Sequence, residues 1–469
     1  MTARPIEVAS QHSRTLLEFS NLSDIGLAAN LGGEVVLVSL KDPADHILTS
    51  IAAMNSGALA LVVDAGRLGL MSRDDNICGH VTALCTDSNI EVGKLAGKRR
   101  IASFLTGSLK ERPSFPRSHR GDGGLAFLTS GSTSHPKAVK FATEQVQFVT
   151  AMVAAALPLK EVATVVSPIN PSFDYGFYQL LLAVSSNTDL EFRSAVLVRS
   201  FVEAIVARQQ GVALPLTPGL LANIVRFADS STMQFPEVAL ITITGGPLTQ
   251  NLCDAAIRIF PSATIVPMYG LTECKRVSIA QPADWISRSQ PRLLGSGHPL
   301  PATSVYATGA DGSRLQPLEV GELCIEGPHV AIGYWPSNVD AGGFVRDNEK
   351  RSLRSGDRGY IDLQGRVHVL GRLAESQVKI RDERVDLAAI RAVVEAHPDV
   401  VLSHVSLIPA DNADARIVIA CTAPKATARE IEEWVAGQVT RLLMRSIDIE
   451  LIETFDLNER AKVSRQENC

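Results

Sequence analysis

"LAFLTSGSTSHPKAVKF", residues 125–141, runs from a short apolar segment of strand character straight into Thr129, Ser130, Gly131, Ser132, Thr133 and Ser134, and Lys137 closes the loop behind Pro136. Small residues let backbone N–H groups come close to an anion, hydroxyls add donors and a lysine adds charge. Such a loop is chemically suited to a polyphosphate. It is not a Walker A loop, which requires G-x-x-x-x-G-K-[ST]: Gly131 is followed by no second glycine before Lys137, and neither Ser nor Thr comes directly after the lysine. Taken alone, the same residues also suit an ordinary Ser/Thr-rich surface turn.

The flanking sequence supplies the context. Around residues 34–63, "EVVLVSL", a helix-like "DHILTSIAAMNSGA" and "LALVVDA" follow one another, the pattern of a βαβ unit in a parallel sheet. "ATVVSPI" leads similarly into "GFYQLLLAVSS", and "VALITITGG" through "TQNLCDAAIRIF" to "ATIVPMYG", so α/β architecture is expected over most of residues 30–280. Residues 303–370 change character. "SVYATG", "GELCIEG", "RGYIDL" and "RVHVLG" are short and punctuated by Gly, Pro and Asp, which predicts an antiparallel β region. A small α+β unit follows, with a helix near "LAAIRAVVEAH" stopped by Pro398, strands "VVLSHVSLI" and "ARIVIACTA", and a helix opened by a Thr427–Glu430 capping box. "KERPSFPRSHRGDGG", residues 110–124, reads as an exposed linker.

Composition narrows the class of function. With 469 residues, 45% apolar and 20% charged, the chain can bury a large core and is expected to form more than one domain. A net charge of −5 leaves no basic footprint for nucleic acid, so small molecules or another protein are the expected partners. The seven cysteines are scattered, without C-x-x-C or metal-site spacing, which suits a reducing cytoplasm. The first residues lack the apolar core of a signal peptide, and the greasiest stretch, "SIAAMNSGALALVVDAG", is too interrupted to span a bilayer. A soluble, cytoplasmic protein is expected.

"TSGSTSHPKA", residues 129–138, resembles the phosphate loop T-S-G-[ST]-T-G-x-P-K-G of the adenylate-forming superfamily, which contains acyl-CoA synthetases, peptide-synthetase adenylation domains and luciferases. In the expected order, "MYGLTEC", "GELCIEGPHVAIGYW", "RSGDRGYIDLQGRVHVLGR", "SQVKIRDERVDLAAI" and "LNERAKVSR" resemble that family's further motifs, so the likeness reaches nearly to the chain end. It implies a large N-terminal AMP-binding domain, residues 1–372, made of doubly wound α/β subdomains to about 300 and a small β-barrel region over about 301–370. A small, mobile α+β C-terminal domain, residues 373–469, would carry the catalytic lysine.

The resemblance also implies a chemistry: ATP and Mg2+ activate a small carboxylic acid as an acyl adenylate, pyrophosphate leaves, and the acyl group passes to a thiol of CoA or a carrier protein. An amine acceptor, amino-acid adenylation for a peptide-synthetase carrier and a non-catalytic adenylate-binding protein are the alternatives. Secondary metabolism is the implied setting. Adenylation needs no general base, since a carboxylic acid with a pKa of roughly 4 is already ionised at neutral pH; the task is to bring two anions together.

On the matching positions, Thr129, Ser130, Gly131, Ser132, Thr133 and Lys137 would hold the β and γ phosphates. Thr272 would contact the α phosphate and Glu273 would hold Mg2+, because a hard cation bridging phosphates prefers carboxylate oxygen. Tyr269, with Gly270 beside it, offers a flat face for adenine, and Thr244, Gly245 and Gly246 match the loop lining the adenine and acyl pockets. Asp357 and Arg372 match the ribose contacts, and Lys462 matches the lysine that bridges substrate carboxylate and α phosphate. "NPSFDYGFYQLLL", residues 170–182, falls beside the acyl pocket, with Phe173, Asp174 and Gly176 as pocket residues; Asp174 is either an amine-binding carboxylate or a helix N-cap. Departures from the pattern are Ser134, Ala138 and Ala461 where glycine is usual, Ala374 and Glu375 at the hinge, and Asp382 for a glycine that admits a pantetheine arm.

Overall fold

The structure, a computed structural model, describes residues 6–9, 14–17, 31–64, 67–68, 75–86, 99–100, 123–129, 137–194, 198–281, 296–336, 343–347, 350–373, 377–380, 383–408, 416–458 and 462–463. Two large sheets carry most of them. The first has seven strands in the order Gly333–Trp335, Ala138–Ala142, Gly124–Leu128, Leu59–Val62, Val35–Ser39, Ala83–Thr86 and Arg99–Arg100. Strands Val35–Ser39 and Leu59–Val62 are parallel, as the βαβ pattern predicts, and nearly every residue in them is buried. Parallel strands covered on both faces read as unbroken apolar runs for this reason. The crossover helix, Pro43–Asn55, starts where Asp42 accepts a hydrogen bond from the Asp45 N–H at 2.9 Å and Pro43 takes a position that needs no donor.

The hydroxyl-rich loop joins Gly124–Leu128 to Ala138–Ala142, antiparallel neighbours with Leu128 opposite Ala138. It is therefore a hairpin tip, whereas a Walker A loop runs from strand to helix. Ser130 to Pro136, which include Gly131, Ser132 and Thr133, lie outside the described residues. The two feet of the loop are located: the Thr129 N–H donates to the Lys137 carbonyl at 2.8 Å.

The second sheet has nine strands in the order His298–Pro299, Lys275–Ile279, Thr264–Leu271, Val238–Ile243, Val212–Leu216, Thr164–Ser167, Asp189–Phe192, Ile6–Ala9 and Arg14–Leu17. From Thr264–Leu271 through Asp189–Phe192 the pairings are parallel. Helices Thr143–Ala156 and Asp174–Ser186 pack against both sheets, and one core runs from Val36 and Phe127 of the first to Val165 and Leu240 of the second. Phe127 and Phe177 meet edge to face at 5.2 Å, both fully buried. Each such side chain contributes about 1.5–3 kcal/mol of apolar transfer, so this junction holds the two sheets in a fixed relation.

Ser304–Thr308, Gly321–Glu326, Lys350–Ile361, Phe344–Asp347 and Val367–Arg372 form the expected antiparallel region. In the last part of the chain, strands Leu402–Ile408, Arg416–Thr422 and Ile447–Leu451 pack with helices Leu387–Glu395 and Ala428–Ala436 around a core of their own. Thr427 and Glu430 form the expected capping box. This part docks on the larger sheet's helices by apolar contacts of Leu402, Ala420 and Phe455 and by polar ones. The Asn223 amide both donates to the Phe455 carbonyl and accepts from its N–H at 3.0 Å, and Asn251 donates to the Val400 carbonyl at 2.7 Å. Ala374, Glu375 and Asp382 lie outside the described residues.

Candidate active site

A cavity of about 170 Å³ opens at the carboxyl ends of the parallel strands of the second sheet, the usual ligand position in an open α/β sheet. The turns after three of those strands supply Phe173, Thr217, Thr244 and Gly245 to its wall. Thr129 enters from the hairpin of the other sheet, and Arg372 and Lys462 from later in the chain.

The hairpin Thr264–Leu271 to Lys275–Ile279 carries Thr272 and Glu273 at its tip. Its geometry requires Gly270, since a Cβ there would stand 1.7 Å from the Lys275 carbonyl oxygen. Thr272 donates to Asp174 Oδ1 at 3.3 Å. Asp174 is the first residue of its helix and not the N-cap, which is Phe173, without a side-chain capping bond. Its carboxylate faces the cavity wall. Gly176 is not a wall residue: a Cβ there would meet the Asn170 carbonyl at 2.4 Å, so this glycine lets the helix pack on the preceding turn.

Glu273 has a partner that the sequence did not indicate. Tyr334 lies on Gly333–Trp335, paired with Ala138–Ala142 beside the foot of the hydroxyl loop. Its hydroxyl donates to Glu273 Oε1 at 2.9 Å, and Lys137 Nζ stands 5.3 Å from its ring centre. One aromatic side chain thus bridges the expected phosphate lysine and the expected metal carboxylate.

Asp357 and Arg372 stand directly opposite one another on neighbouring antiparallel strands, which sets their side chains together. Arg372 Nε lies 3.1 Å from Asp357 Oδ1, and its Nη1 donates to the Ser355 carbonyl at 2.8 Å. Tyr269 donates its hydroxyl to Asp357 Oδ2 at 2.6 Å. Burial pushes the Asp357 carboxyl above its ordinary value, while Arg372, the Tyr269 hydroxyl and Lys462 pull it back. The Tyr269 ring packs with Cys274 and Val277, so Tyr269 buttresses Asp357 from the core and does not line the cavity. Gly246 also stands off the wall, beside Pro218.

Lys462 reaches the cavity from the chain's last described turn. Leu457 and Val463 form a β-bridge, the Asn458 N–H donates to the Lys462 carbonyl at 2.8 Å, and both apolar side chains pack over Gly219. A Cβ on Gly245 would stand 3.0 Å from Lys462 Cε, and Gly245 has φ +95°, so both space and backbone call for glycine under the lysine. Among the described residues no helix is long and apolar enough to cross a membrane, and no group of three or more His, Cys, Asp or Glu is placed to hold a metal.

The AMP-binding enzyme family model matches residues 28–335. A hybrid PKS-NRPS synthetase, TAS1, of Cordyceps militaris is 27% identical over 357 residues, 73% of this chain and 22% of that protein. The peroxisomal OPC-8:0-CoA ligase 1 of Arabidopsis thaliana is 27% identical over 300 residues, 61% of this chain and 53% of that enzyme. The chain thus spans about a fifth of the first relative's length and about half of the second's. The structure of O-succinylbenzoate coenzyme A synthetase from Bacillus subtilis, in complex with ATP and magnesium ion, superposes with a TM-score of 0.76 at 18% identity, covering 100% of this chain and 97% of that one. The chain belongs to the AMP-binding enzyme family, within the adenylate-forming superfamily.

Proposed function

We propose that this protein is an ATP- and Mg2+-dependent acid ligase that converts a small carboxylic acid to its acyl adenylate, releases pyrophosphate, and transfers the acyl group to a thiol of CoA or of a carrier protein. The observation that carries the reading is convergence on one cavity: Lys462 on one side, Thr272 and Glu273 on another, and Arg372, held by Asp357, on a third. Asp357 and Arg372 take the ribose, and Thr129 and Lys137 at the feet of the hydroxyl loop flank the phosphates. Ser130, Gly131, Ser132 and Thr133 complete that loop by sequence. The site fits one magnesium ion, which keeps several waters and needs only one or two protein carboxylates beside phosphate oxygens; Glu273 is that carboxylate. The ion supplies charge neutralisation at the phosphates.

The protein's own part is positioning. The reacting carboxylate and the α phosphate are both anions, and the Lys462 ammonium, set over Gly245, cancels their repulsion as they approach. Thr272 borders the place where they meet, and Tyr334 keeps Glu273 turned toward the phosphate side. We assign residues 1–372 to the adenylating domain and 373–469 to the smaller domain that delivers Lys462. Its separate core supports that division. Isotope exchange between pyrophosphate and ATP, run with a panel of mono-, di- and aryl carboxylic acids and amino acids, tests the reading. Exchange that depends on an added acid is expected; its absence with every acid overturns it.

A further inference from the structure

Behind the site lies a second, smaller cavity of about 30 Å³, room for about two water molecules, with a largely apolar wall that includes Val149, Leu240 and Met268. Asp174, Tyr175 and Arg276 belong to the walls of both cavities and so form the neck between them. Three charged side chains meet here. Lys275 is 2% exposed, and its Nζ sits 4.1 Å from the Phe127 ring centre, 4.0 Å from that of Phe141 and 5.4 Å from that of Tyr178, with no hydrogen-bond partner among the described residues. The Asp174 carboxylate accepts from the Thr272 hydroxyl at 3.3 Å.

Arg276 is the charge left over. It is 8% exposed, its guanidinium carbon lies 4.6 Å over the centre of the Tyr175 ring, and among the described residues no carboxylate pairs with it. The Tyr175 ring is fixed in turn, its hydroxyl donating to the Thr242 carbonyl at 2.9 Å. A guanidinium held in place by an aromatic face at the wall of a cavity is set to receive an anionic group of a ligand. The neck as a whole, two cations against one carboxylate, disfavours an ammonium group.

We propose that the acid activated by this enzyme is a short dicarboxylate whose non-reacting carboxylate is held by Arg276, with its carbon chain against the small apolar cavity. This rests on the adenylating reading of the same site and makes Arg276 its specificity-determining residue. The guanidinium fork accepts a carboxylate through two parallel hydrogen bonds, a geometry that neither an amide nor an ester reproduces. An α-amino acid would bring its ammonium group to the same neck and meet net positive charge.

Two readouts on the full-length protein test it. In pyrophosphate exchange, malonate, succinate and glutarate are compared with their monoamides and with amino acids; in calorimetric titration, the same compounds are added with a non-hydrolysable ATP analogue and Mg2+. At least one dicarboxylate is expected to exceed its monoamide by roughly 10²-fold in each, the scale of a charge-assisted pair. In Arg276→Met that ratio is expected to fall to near one, while Arg276→Lys keeps part of it. A wild-type preference for monoamides or amino acids overturns the proposal whether or not the variants fold. A uniform loss with every acid in Arg276→Met also overturns it, because Arg276 would then grip the reacting carboxylate. Selective, Arg276-dependent binding of a dicarboxylate without exchange would keep Arg276 as the carboxylate-binding residue and overturn the adenylating reading. Exchange with other acids alone would do the reverse.

Discussion

The two ends of the site are built on opposite electrostatic plans. At the ribose end the charges are answered within the protein: Asp357 receives Arg372 and the Tyr269 hydroxyl, and Arg372 is tied again to the Ser355 carbonyl. At the proposed acyl end, among the described residues, Lys275 is caged by aromatic rings without a hydrogen-bond partner, and Arg276, at the neck of two cavities, forms no ion pair with a carboxylate. The difference matches what each end is proposed to bind. A nucleoside is constant, so a receptor for it gains from being rigid in advance and loses little on binding. The acid differs from one enzyme to the next, and in the proposal above Arg276 selects it.

Lys462 lies between the two ends, and its loss should be the largest single effect. Lys462→Ala removes the one ammonium over Gly245, and roughly 10²-fold or more in the rate of pyrophosphate exchange should disappear, as for other single electrostatic contacts at a reacting centre. The thermal midpoint should hardly move, because the side chain is exposed. Wild-type exchange in this variant would break the placement of the reacting atoms between the two ends.

Asp357→Asn attacks the pre-paired end. The amide keeps the shape and loses the charge that Arg372 and a ribose share, so the KM for ATP should rise by about 10-fold or more with a smaller change in kcat. Because burial raises the Asp357 carboxyl, protonation at acid pH should mimic the substitution: the wild-type KM for ATP should climb as pH falls, and that of Asp357→Asn should stay flatter. Equal pH profiles would show that Asp357 does not set the ribose affinity.

How far the sequence discloses each end follows the same division. Thr272, Glu273, Asp357, Arg372 and Lys462 are legible because each sits at a fixed offset within a Gly- or turn-rich motif; four of them line one cleft, and Asp357 stands behind its wall, paired with Arg372. Tyr334 is hidden, since its contact with Glu273 depends on a strand pairing between Gly333–Trp335 and Ala138–Ala142. Lys275 and Arg276 fall outside any motif in the sequence; the packing of Phe127, Phe141 and Tyr178 around Lys275 and of Tyr175 against Arg276 makes them interior. Tyr269 and Gly176 were legible as important, but their work is buttressing and close packing. In the fold, the βαβ runs were plain, whereas Ile6–Ala9 and Arg14–Leu17 were not. "IEVA" and "RTLL" are not the unbroken apolar runs that mark strands such as Leu59–Val62, and the first pairs with Asp189–Phe192 far along the chain.

The caged cation offers a test of the acyl end that does not need a substrate. Lys275 titrates near 8 in the folded protein against about 10.5 when unfolded. The unfolded chain therefore binds more protons between these values, and stability rises with pH across that window. Lys275→Met removes the titration, so the stability of the variant relative to wild type should decline by about 1 kcal/mol from pH 7 to pH 9, measured by urea unfolding. A difference that does not change with pH would mean that the lysine is not held in a desolvated cage.

Tyr334→Phe should give the smallest effect. The hydroxyl makes one hydrogen bond to Glu273, which is only half-buried, so water can replace the lost donor and the net cost should be about 0.5–1 kcal/mol. The ring remains, and with it the contact to Lys137. What changes is the orientation of one carboxylate toward the phosphates, and that should appear as a rise of about two- to five-fold in the Mg2+ concentration needed for half-maximal exchange, with the KM for the acid unmoved. Glu273→Gln should shift the same Mg2+ dependence further, because it removes the charge itself, and combining it with Tyr334→Phe should add little. If the two substitutions add fully, Tyr334 acts on the phosphates through Lys137 and not through the carboxylate. If Tyr334→Phe instead raises the KM for the acid, the boundary between the constant end and the selecting end runs through Tyr334, and the contrast between them is less sharp than Asp357 and Arg276 make it.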